Sequence, residues 1–131
     1  MPCSSGQVPS INDITIAELE PLLARAAEAD EVIRGALADG SLRAVSSGND
    51  MPLIDLRRVS PALAAAAANA DLLVLEGMGR GIETNLGVRL RGAACLNLGM
   101  VKLREVAECL GGGMYGCVCR FLPSVAATIA A

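Results

Sequence analysis

Histidine is absent from the 131-residue chain. Its absence excludes a Ser-His or Cys-His nucleophile pair, an imidazole general base and histidine ligands for a metal ion. Any catalysis by this sequence must therefore use carboxylates, amides, Lys or Arg side chains, or a metal ion held by oxygen ligands.

Aromatic residues are almost absent as well, because Tyr115 and Phe121 are the only two and there is no Trp. The chain is nevertheless 53% hydrophobic, which is ample for the core of one ordinary domain. Its core must be built from Ala, Leu, Val, Ile and Met. That composition favours helices packed closely on a sheet.

The sequence also lacks a cluster of Lys and Arg, and its net charge is −3. It therefore lacks the positively charged patch that binds nucleic acid or an anionic membrane. No window approaches the roughly 18 apolar residues that a membrane span requires, and residues 1–10 lack the features of a secretory signal. We expect neither nucleic acid nor a membrane as a partner.

Five cysteines are present, and none forms a Cys-x-x-Cys pair. We expect reduced thiols, most of them buried as small apolar residues, and hence a reducing compartment such as the cytoplasm. Cys95 and Cys109 fall in a predicted helix, whereas Cys117 and Cys119 alternate along a predicted strand.

The first half of the sequence carries helix signals. Thr15–Glu18 has the pattern of a capping box. Pro21 lies inside this helix pattern, so either the first turn is irregular or the helix proper begins near Pro21. Asp30 begins a second helix that Gly40 ends, and Ser60-Pro61 begins a third.

Apolar runs predict short strands at Leu42–Val45, Leu72–Leu75 and Met114–Phe121, and the longest helix at about Ala94–Leu110. Strands separated by helices indicate a parallel sheet with right-handed crossovers, which is a three-layer, Rossmann-like α/β fold. Three strands are few for a sheet that is covered on both faces.

Ligands of such folds bind at the carboxyl ends of the strands. That rule brings together Asn12-Asp13, the Ser46–Asp50 loop, Glu76–Arg80 and Arg120. Asn12-Asp13 precedes a helix and suits either a hard cation such as Mg²⁺ or ordinary helix capping. Arg120, in an apolar strand, is either paired or directed at an anionic ligand.

Glycines alternate at Gly77, Gly79 and Gly81 directly after a predicted strand. The spacing departs from the dinucleotide pattern G-x-G-x-x-G, so nucleotide binding is the weaker interpretation. The glycines could let backbone N–H groups approach an anion while Arg80 binds a phosphate in a bidentate manner. A tight turn with an exposed Arg is the alternative.

A longer pattern surrounds these glycines. Within Asp71–Asn85, Glu-Gly-Met-Gly-Arg is followed by Thr-Asn, and this stretch resembles the signature of the damage-control phosphatase domain joined to pantothenate kinases. Ile11–Thr15 resembles that family's metal-site loop, Ser47–Leu56 its substrate-side loop, and Leu98–Gly112 its last long helix with Lys102 in place. The resemblance covers about Ser4 to Pro123.

The resemblance implies hydrolysis of phosphomonoesters, such as 4′-phosphopantetheine and its oxidised forms, with a divalent metal (Mg²⁺, Mn²⁺, Co²⁺ or Ni²⁺). It implies that Asp13 and Asn12 hold the metal and that Asp13, Arg80 and Arg120 are catalytic. The substrate-binding residues that it implies are Ser47, Gly48, Asp50, Gly77, Gly79, Arg80 and Arg120. A metal-based mechanism agrees with the absence of histidine.

The sequence departs from the family pattern in three places. The family's other metal ligands, an Asp-Asn pair after an earlier strand, have no counterpart, which implies that residues 1–131 are the C-terminal portion of a larger domain. Residues 1–10 would be an irregular lead-in and residues 124–131 a tail. Arg120 stands where the family usually has Lys, and Leu86 and Gly87 replace His or aromatic residues.

The resulting hypothesis is a metal-dependent phosphatase for a small phosphorylated metabolite, with weak or no activity from this chain alone. Its expected partners are the missing N-terminal part of the domain or an upstream pantothenate kinase-like domain. The alternatives are a non-catalytic binding or assembly module of the same fold and a nucleotide-binding protein that uses the Gly77–Gly81 loop.

Overall fold

The computed structural model describes residues 14–49 and 53–125, which fall into two compact units. The first unit comprises Met1–Pro52 with Leu56–Ala64, and the second comprises Leu53–Asp55 with Ala65–Ala131.

The first unit contains the helices α1 (Ile16–Ala29) and α2 (Glu31–Ala38). The predicted capping box is confirmed: the Thr15 hydroxyl accepts a hydrogen bond from the Glu18 N–H at 3.3 Å, and the Glu18 carboxylate accepts one from the Thr15 N–H at 2.9 Å. The backbone and hydroxyl of Thr15 stabilise the charged carboxylate, so the pKa of Glu18 is lowered.

Pro21 lies inside α1, which begins at Ile16, so the alternative of a helix starting near Pro21 is wrong. The Thr15 cap supplies a start signal that outweighs the hydrogen bond lost at the proline. Helix α2 begins after Asp30, as predicted. The Asp30 carboxylate caps it by accepting hydrogen bonds from two backbone N–H groups at 2.7 and 3.1 Å. Gly40 follows α2 with φ +78°, a conformation that favours glycine.

Helix α3 (Pro61–Ala67) begins where Ser60-Pro61 predicted it. The Ser60 hydroxyl accepts a hydrogen bond from the Leu63 N–H at 3.0 Å, and proline occupies the first helical position, where its missing N–H costs nothing. The strand predicted at Leu42–Val45 is wrong, since these residues pair with no strand in the described part of the chain. An apolar run cannot form a strand without a partner for its backbone groups.

The second unit contains a three-stranded sheet of β1 (Leu72–Glu76), β2 (Ala94–Met100) and β3 (Cys117–Leu122), in that spatial order. Strands β1 and β2 are parallel, with Leu75 opposite Asn97, and β2 and β3 are antiparallel, with Asn97 opposite Arg120. The fold class is therefore α/β with a mixed sheet, and the expectation of an all-parallel sheet is wrong at β3.

The direction of β3 follows from how the chain leaves β2. Helix α4 (Arg104–Cys109) is only six residues long, and the chain then returns directly to the end of β2. There the Val101 N–H donates to the Gly116 carbonyl at 2.9 Å, and the Tyr115 N–H donates to the Val101 carbonyl at 2.7 Å. A strand that starts at the end of its neighbour must run antiparallel to it.

The helix predicted over Ala94–Leu110 is thus wrong in its first half, which is β2. Cys95 consequently lies on a buried strand, and burial raises the pKa of its thiol. Cys109 is helical, as predicted, and Cys117 and Cys119 lie on β3, as their alternation predicted. The expectation that most cysteines are buried is wrong for the described residues, because Cys109, Cys117 and Cys119 are exposed and Cys95 alone among them is buried.

A core cluster of the second unit is aliphatic, as the composition required. Ile82, Val101 and Ala107 are buried, and four partly buried side chains pack against them: Met78, Leu86, Val106 and Val118. Among the described residues, no helix is long and apolar enough to cross a membrane.

Truncating Ile82 in this cluster should destabilise the second unit. We expect Ile82→Ala to lower the free energy of unfolding by about 2–5 kcal/mol, because a buried side chain is replaced by a cavity. Val32→Ala, at a position that is 79% exposed, is the control and should change it by less than about 0.5 kcal/mol. Urea unfolding followed by circular dichroism measures both, and equal effects would contradict the assignment of this core.

Candidate functional site

A turn of unusual geometry follows β1. The chain leaves Glu76 through Gly77, whose φ of +108° favours glycine, and enters a single π-helical turn, Met78–Glu83. The Gly77 N–H donates to the Leu98 carbonyl at 3.0 Å, which fastens the start of the turn to β2. The turn therefore lies at the carboxyl ends of the parallel strands β1 and β2, where ligands of open α/β sheets bind.

The Asn97 side chain joins the turn to the central strand β2. Its side chain is fully buried in β2, and its amide donates to the Gly81 carbonyl at 2.7 Å and to the Asn85 carbonyl at 3.1 Å. Its own carbonyl oxygen accepts the Cys95 thiol at 3.6 Å. The amide group is thus fully engaged, and it ties the turn to the middle of the sheet.

Asn85 closes the turn at its other end. It is 5% exposed, and its amide donates to the Ile54 carbonyl at 3.1 Å and to the Arg80 carbonyl at 2.8 Å. Thr84 adds two hydrogen bonds to the Gly79 carbonyl, from its N–H at 3.2 Å and its hydroxyl at 2.7 Å. The carbonyls of residues 79, 80 and 81 are therefore all fixed, which makes the backbone carrying Arg80 rigid.

The glycines of the turn have a steric reason. A Cβ atom on Gly81 would lie 2.6 Å from the Leu75 carbonyl oxygen and 3.0 Å from that of Leu98. One on Gly79 would lie 2.6 Å from the end of the Leu53 side chain. Moreover, the Gly81 N–H donates to the Gly77 carbonyl at 2.8 Å, so the N–H groups of Gly77 and Gly81 are both used within the protein. Substrate binding by Gly77 and Gly79 stays a prediction.

Two exposed cations belong to this end of the sheet. Arg80 lies on the turn, and Lys102 lies two residues after the end of β2. The Lys102 N–H donates to the Met78 sulfur at 3.1 Å, which ties the backbone of Lys102 to the turn. Lys102 was expected on a long helix and instead lies between β2 and α4.

Arg120 lies in the body of β3, opposite Asn97 and on the same face of the sheet. Because β3 runs antiparallel to β2, the C-terminal end of β3 lies at the end of the sheet away from the turn. The expectation that Arg120 marks the carboxyl end of a parallel strand is therefore wrong, although its predicted contact with substrate stays untested.

The loop of the first unit that carries Ser47 and Gly48 is fixed to the start of α3. The Ser60 N–H donates to the Ser47 carbonyl at 2.7 Å, and the Ser60 hydroxyl donates to the Ser46 carbonyl at 2.7 Å. Gly48 has φ +69°, and a Cβ atom there would lie 2.8 Å from that of Ser60. These contacts join the described part of the loop to Ser60, while substrate binding by its residues stays a prediction.

The predicted metal ligands Asn12 and Asp13 lie outside the described residues, as does Asp50. Within residues 14–49 and 53–125, no group of three or more His, Cys, Asp or Glu side chains could hold a metal ion.

Sequence reasoning missed the structural role of both buried asparagines. Asn85 ends the signature stretch Asp71–Asn85, which predicts no structural role for it, and Asn97 falls within the predicted helix Ala94–Leu110. The usable signal was the alternation in Cys95-Leu-Asn-Leu-Gly99, whose odd-numbered positions share one face of a strand.

Comparison with known proteins places this site in a family. A family model described as the damage-control phosphatase ARMT1-like domain matches residues 6–118. The chain is 47% identical over 118 residues to the damage-control phosphatase At2g17340 of Arabidopsis thaliana, covering 90% of this chain and 32% of that protein. It thus spans about a third of that relative's length.

Two proteins named pantothenate kinase 2 are also similar. Pantothenate kinase 2 of Arabidopsis thaliana is 40% identical over 141 residues, and pantothenate kinase 2 of Oryza sativa subsp. japonica is 38% identical over 141 residues. Each alignment covers 91% of this chain and 16% of the relative.

The steric role of Gly81 can be tested with a pair of glycine substitutions. We expect Gly81→Ala to lower the free energy of unfolding by about 3 kcal/mol, because the new methyl group meets two backbone carbonyls that cannot rotate away. Gly87→Ala is the matched control: nothing lies within 4 Å of its added Cβ, and its effect should stay below about 0.5 kcal/mol. Chemical denaturation compares the two, and a Gly81→Ala protein as stable as the control would refute this packing.

Proposed function

The chain belongs to the damage-control phosphatase ARMT1-like domain family, and we propose that it supplies part of an active site that hydrolyses small phosphomonoesters. The observation that carries the proposal is the family match over residues 6–118, which contains the whole turn after β1. The 47% identity to a damage-control phosphatase supports the same class of reaction.

The turn is suited to binding a phosphate ester. Arg80 carries a planar cationic fork that matches two phosphate oxygens, and the backbone that presents it is fixed by Asn85 and Thr84. Lys102 adds a second positive charge on a segment tied to the same turn. Positive charge carried on a fixed backbone needs less reorganisation to stabilise the charge of the transition state.

The proposed reaction is attack of water on phosphorus with cleavage of the P–O bond to the ester oxygen. One water molecule is consumed, and the products are an alcohol and inorganic phosphate. We propose 4′-phosphopantetheine or its oxidised forms as the substrate class, which would place the protein in coenzyme A metabolism. In this scheme Arg80, Lys102 and Arg120 neutralise phosphate charge, and Ser47, Gly48 and Asp50 contribute to substrate binding.

The proposal includes a divalent ion (Mg²⁺, Mn²⁺, Co²⁺ or Ni²⁺), with Asp13 and Asn12 as the ligands from this chain. The described residues contain no group of three or more His, Cys, Asp or Glu side chains that could hold such an ion. Because the metal ligands expected of the family are incomplete here, we propose that the chain alone has weak or no activity.

The remaining assignments rest on the same family membership. We propose that residues 1–131 act as the C-terminal portion of a three-layer, Rossmann-like domain in the cytoplasm. A pantothenate kinase-like domain is a proposed neighbour, because two relatives are named pantothenate kinase 2.

The role of Arg80 can be tested in a chimaera in which this chain replaces the matched segment of the Arabidopsis damage-control phosphatase. We expect Arg80→Ala to lower kcat/KM for 4′-phosphopantetheine by about 100-fold or more, since it removes a preorganised donor to the phosphate. Arg80→Lys keeps the charge without the bidentate geometry, so its kcat/KM should lie between that of the unsubstituted chimaera and that of Arg80→Ala. Arg25→Ala, at an exposed position of α1, is the control and should leave kcat/KM unchanged; an equal loss in both alanine variants would count against a role for Arg80.

Asp13→Ala in the same chimaera should abolish hydrolysis with each of the four metals and weaken metal binding measured by calorimetry, because the variant lacks a predicted carboxylate ligand. Asp71→Ala, which removes an exposed carboxylate just before β1, should change neither quantity. Hydrolysis that needs no added metal, or that survives in Asp13→Ala, would refute this metal site. The isolated chain, assayed in parallel, should be nearly inactive, and robust hydrolysis by it would show that its metal ligands are sufficient.

A further inference from the structure

One face of the sheet in the second unit is apolar and open. We call the outer face the side of the sheet opposite Asn97, and its strand residues include Leu72, Val74, Leu96, Leu98, Met100 and Phe121. Directly paired residues point to the same side, so the register places these side chains together. Phe121 is 60% exposed, Val74 48%, Leu72 46% and Met100 42%.

The composition of the outer face is that of a buried surface. By register, Glu76 is the single charged strand residue on this side of the described sheet, and it lies at the end of β1. Contiguous exposed apolar surface of this kind is typical of surfaces that bind another polypeptide, a membrane or an apolar ligand.

Among the described residues, the edge of the sheet beside this face has no partner strand. Strand β1 pairs with β2 on one side and with no described strand on the other. Its run Leu72–Leu75 contains no Pro, Lys or other charge, which are the features that protect exposed edges from pairing. An apolar edge next to an apolar face is suited to a partner that continues the sheet and covers it at once.

We propose that the outer face and the β1 edge bind the portion of an ARMT1-like damage-control phosphatase domain that lies outside the match to this chain. The match uses 90% of this chain but only 32% of the damage-control phosphatase, so the relative holds about twice as much further sequence. Sheets of α/β domains usually have four to six strands with helices on both faces, and the described sheet has three strands. The inference rests on family membership and not on the proposed reaction.

Cysteines provide a direct readout. Cys117 and Cys119 are exposed and lie on the outer face, whereas Cys109 is exposed on α4. The full chain is co-expressed with the unmatched two thirds of the Arabidopsis damage-control phosphatase, and the purified complex is treated with iodoacetamide. We expect alkylation of Cys117 and Cys119 to slow by about tenfold or more relative to the chain alone, since a covered thiol reacts only when the contact opens. Alkylation of Cys109 should be unchanged.

Charge substitutions locate the contact. Val74→Glu and Phe121→Glu each place a carboxylate on the outer face, and each should weaken the complex by about 10-fold or more, because a charge is left unpaired in an apolar contact. Val32→Glu introduces the same change at an exposed position of α2 and should leave the affinity unaltered. Circular dichroism of each variant establishes that the chain remains folded.

The same thiols are measured in the single-chain chimaera, so the result does not depend on whether the relative's segment folds alone. Protection of Cys117 and Cys119 there, relative to the isolated chain, supports the proposal. Full reactivity of both thiols in the chimaera and the complex would overturn it, as would glutamate variants that bind normally. If the chain alone sediments as a dimer that Val74→Glu dissociates, the outer face binds a second copy and the proposal is wrong. A protected complex without phosphatase activity would retain this inference while removing the proposed function.

Discussion

The buried amide of Asn97 links the central strand to the turn that carries Arg80. A primary amide enclosed in a sheet is tolerated only when its polar atoms are satisfied, and here the two carbonyls of Gly81 and Asn85 accept its hydrogen bonds. Neither part can change alone: a shift of β2 by one residue would turn Asn97 to the other face, and an unwound turn would leave its amide without acceptors. The position of the cationic turn therefore depends on the register of β2.

The features that sequence analysis predicted correctly depend on neighbours along the chain. Thr15 with Glu18, Asp30 before α2, and Ser60 before Pro61 each satisfy backbone groups two or three residues away, so the chemistry is complete within one helical turn. Strand β2 is different. Its Ala, Leu and Met residues are good helix formers. This segment is a strand because it pairs with β1 and β3, and the alternation of Cys95, Asn97 and Gly99 follows from that pairing.

The candidate site also combines features that follow from the local sequence with features that depend on distant contacts. Family resemblance located the turn and named Gly77, Gly79 and Arg80, but the reason that glycine is required at position 81 is the approach of carbonyls from Leu75 and Leu98. That contact joins residues from two strands, one of which was predicted to be a helix, and so could not be derived from spacing. The misplacement of Arg120 has the same origin, because the direction of β3 follows from how the chain returns to Val101.

Alternation along the strands also places the proposed site and the proposed contact on opposite faces of the sheet in the second unit. Asn97 and Arg120 lie on one face of the sheet, together with the turn that Asn97 holds, whereas Val74, Leu96 and Phe121 lie on the other. A polypeptide bound to the outer face would therefore not cover the face that carries Arg120. Additional strands at β1 would instead extend the row of carboxyl ends beside the turn, which is where a sheet of this class presents groups from several strands to one ligand. Extension of the sheet at β1 is thus the arrangement that could bring further carboxylates next to Arg80 without displacing it.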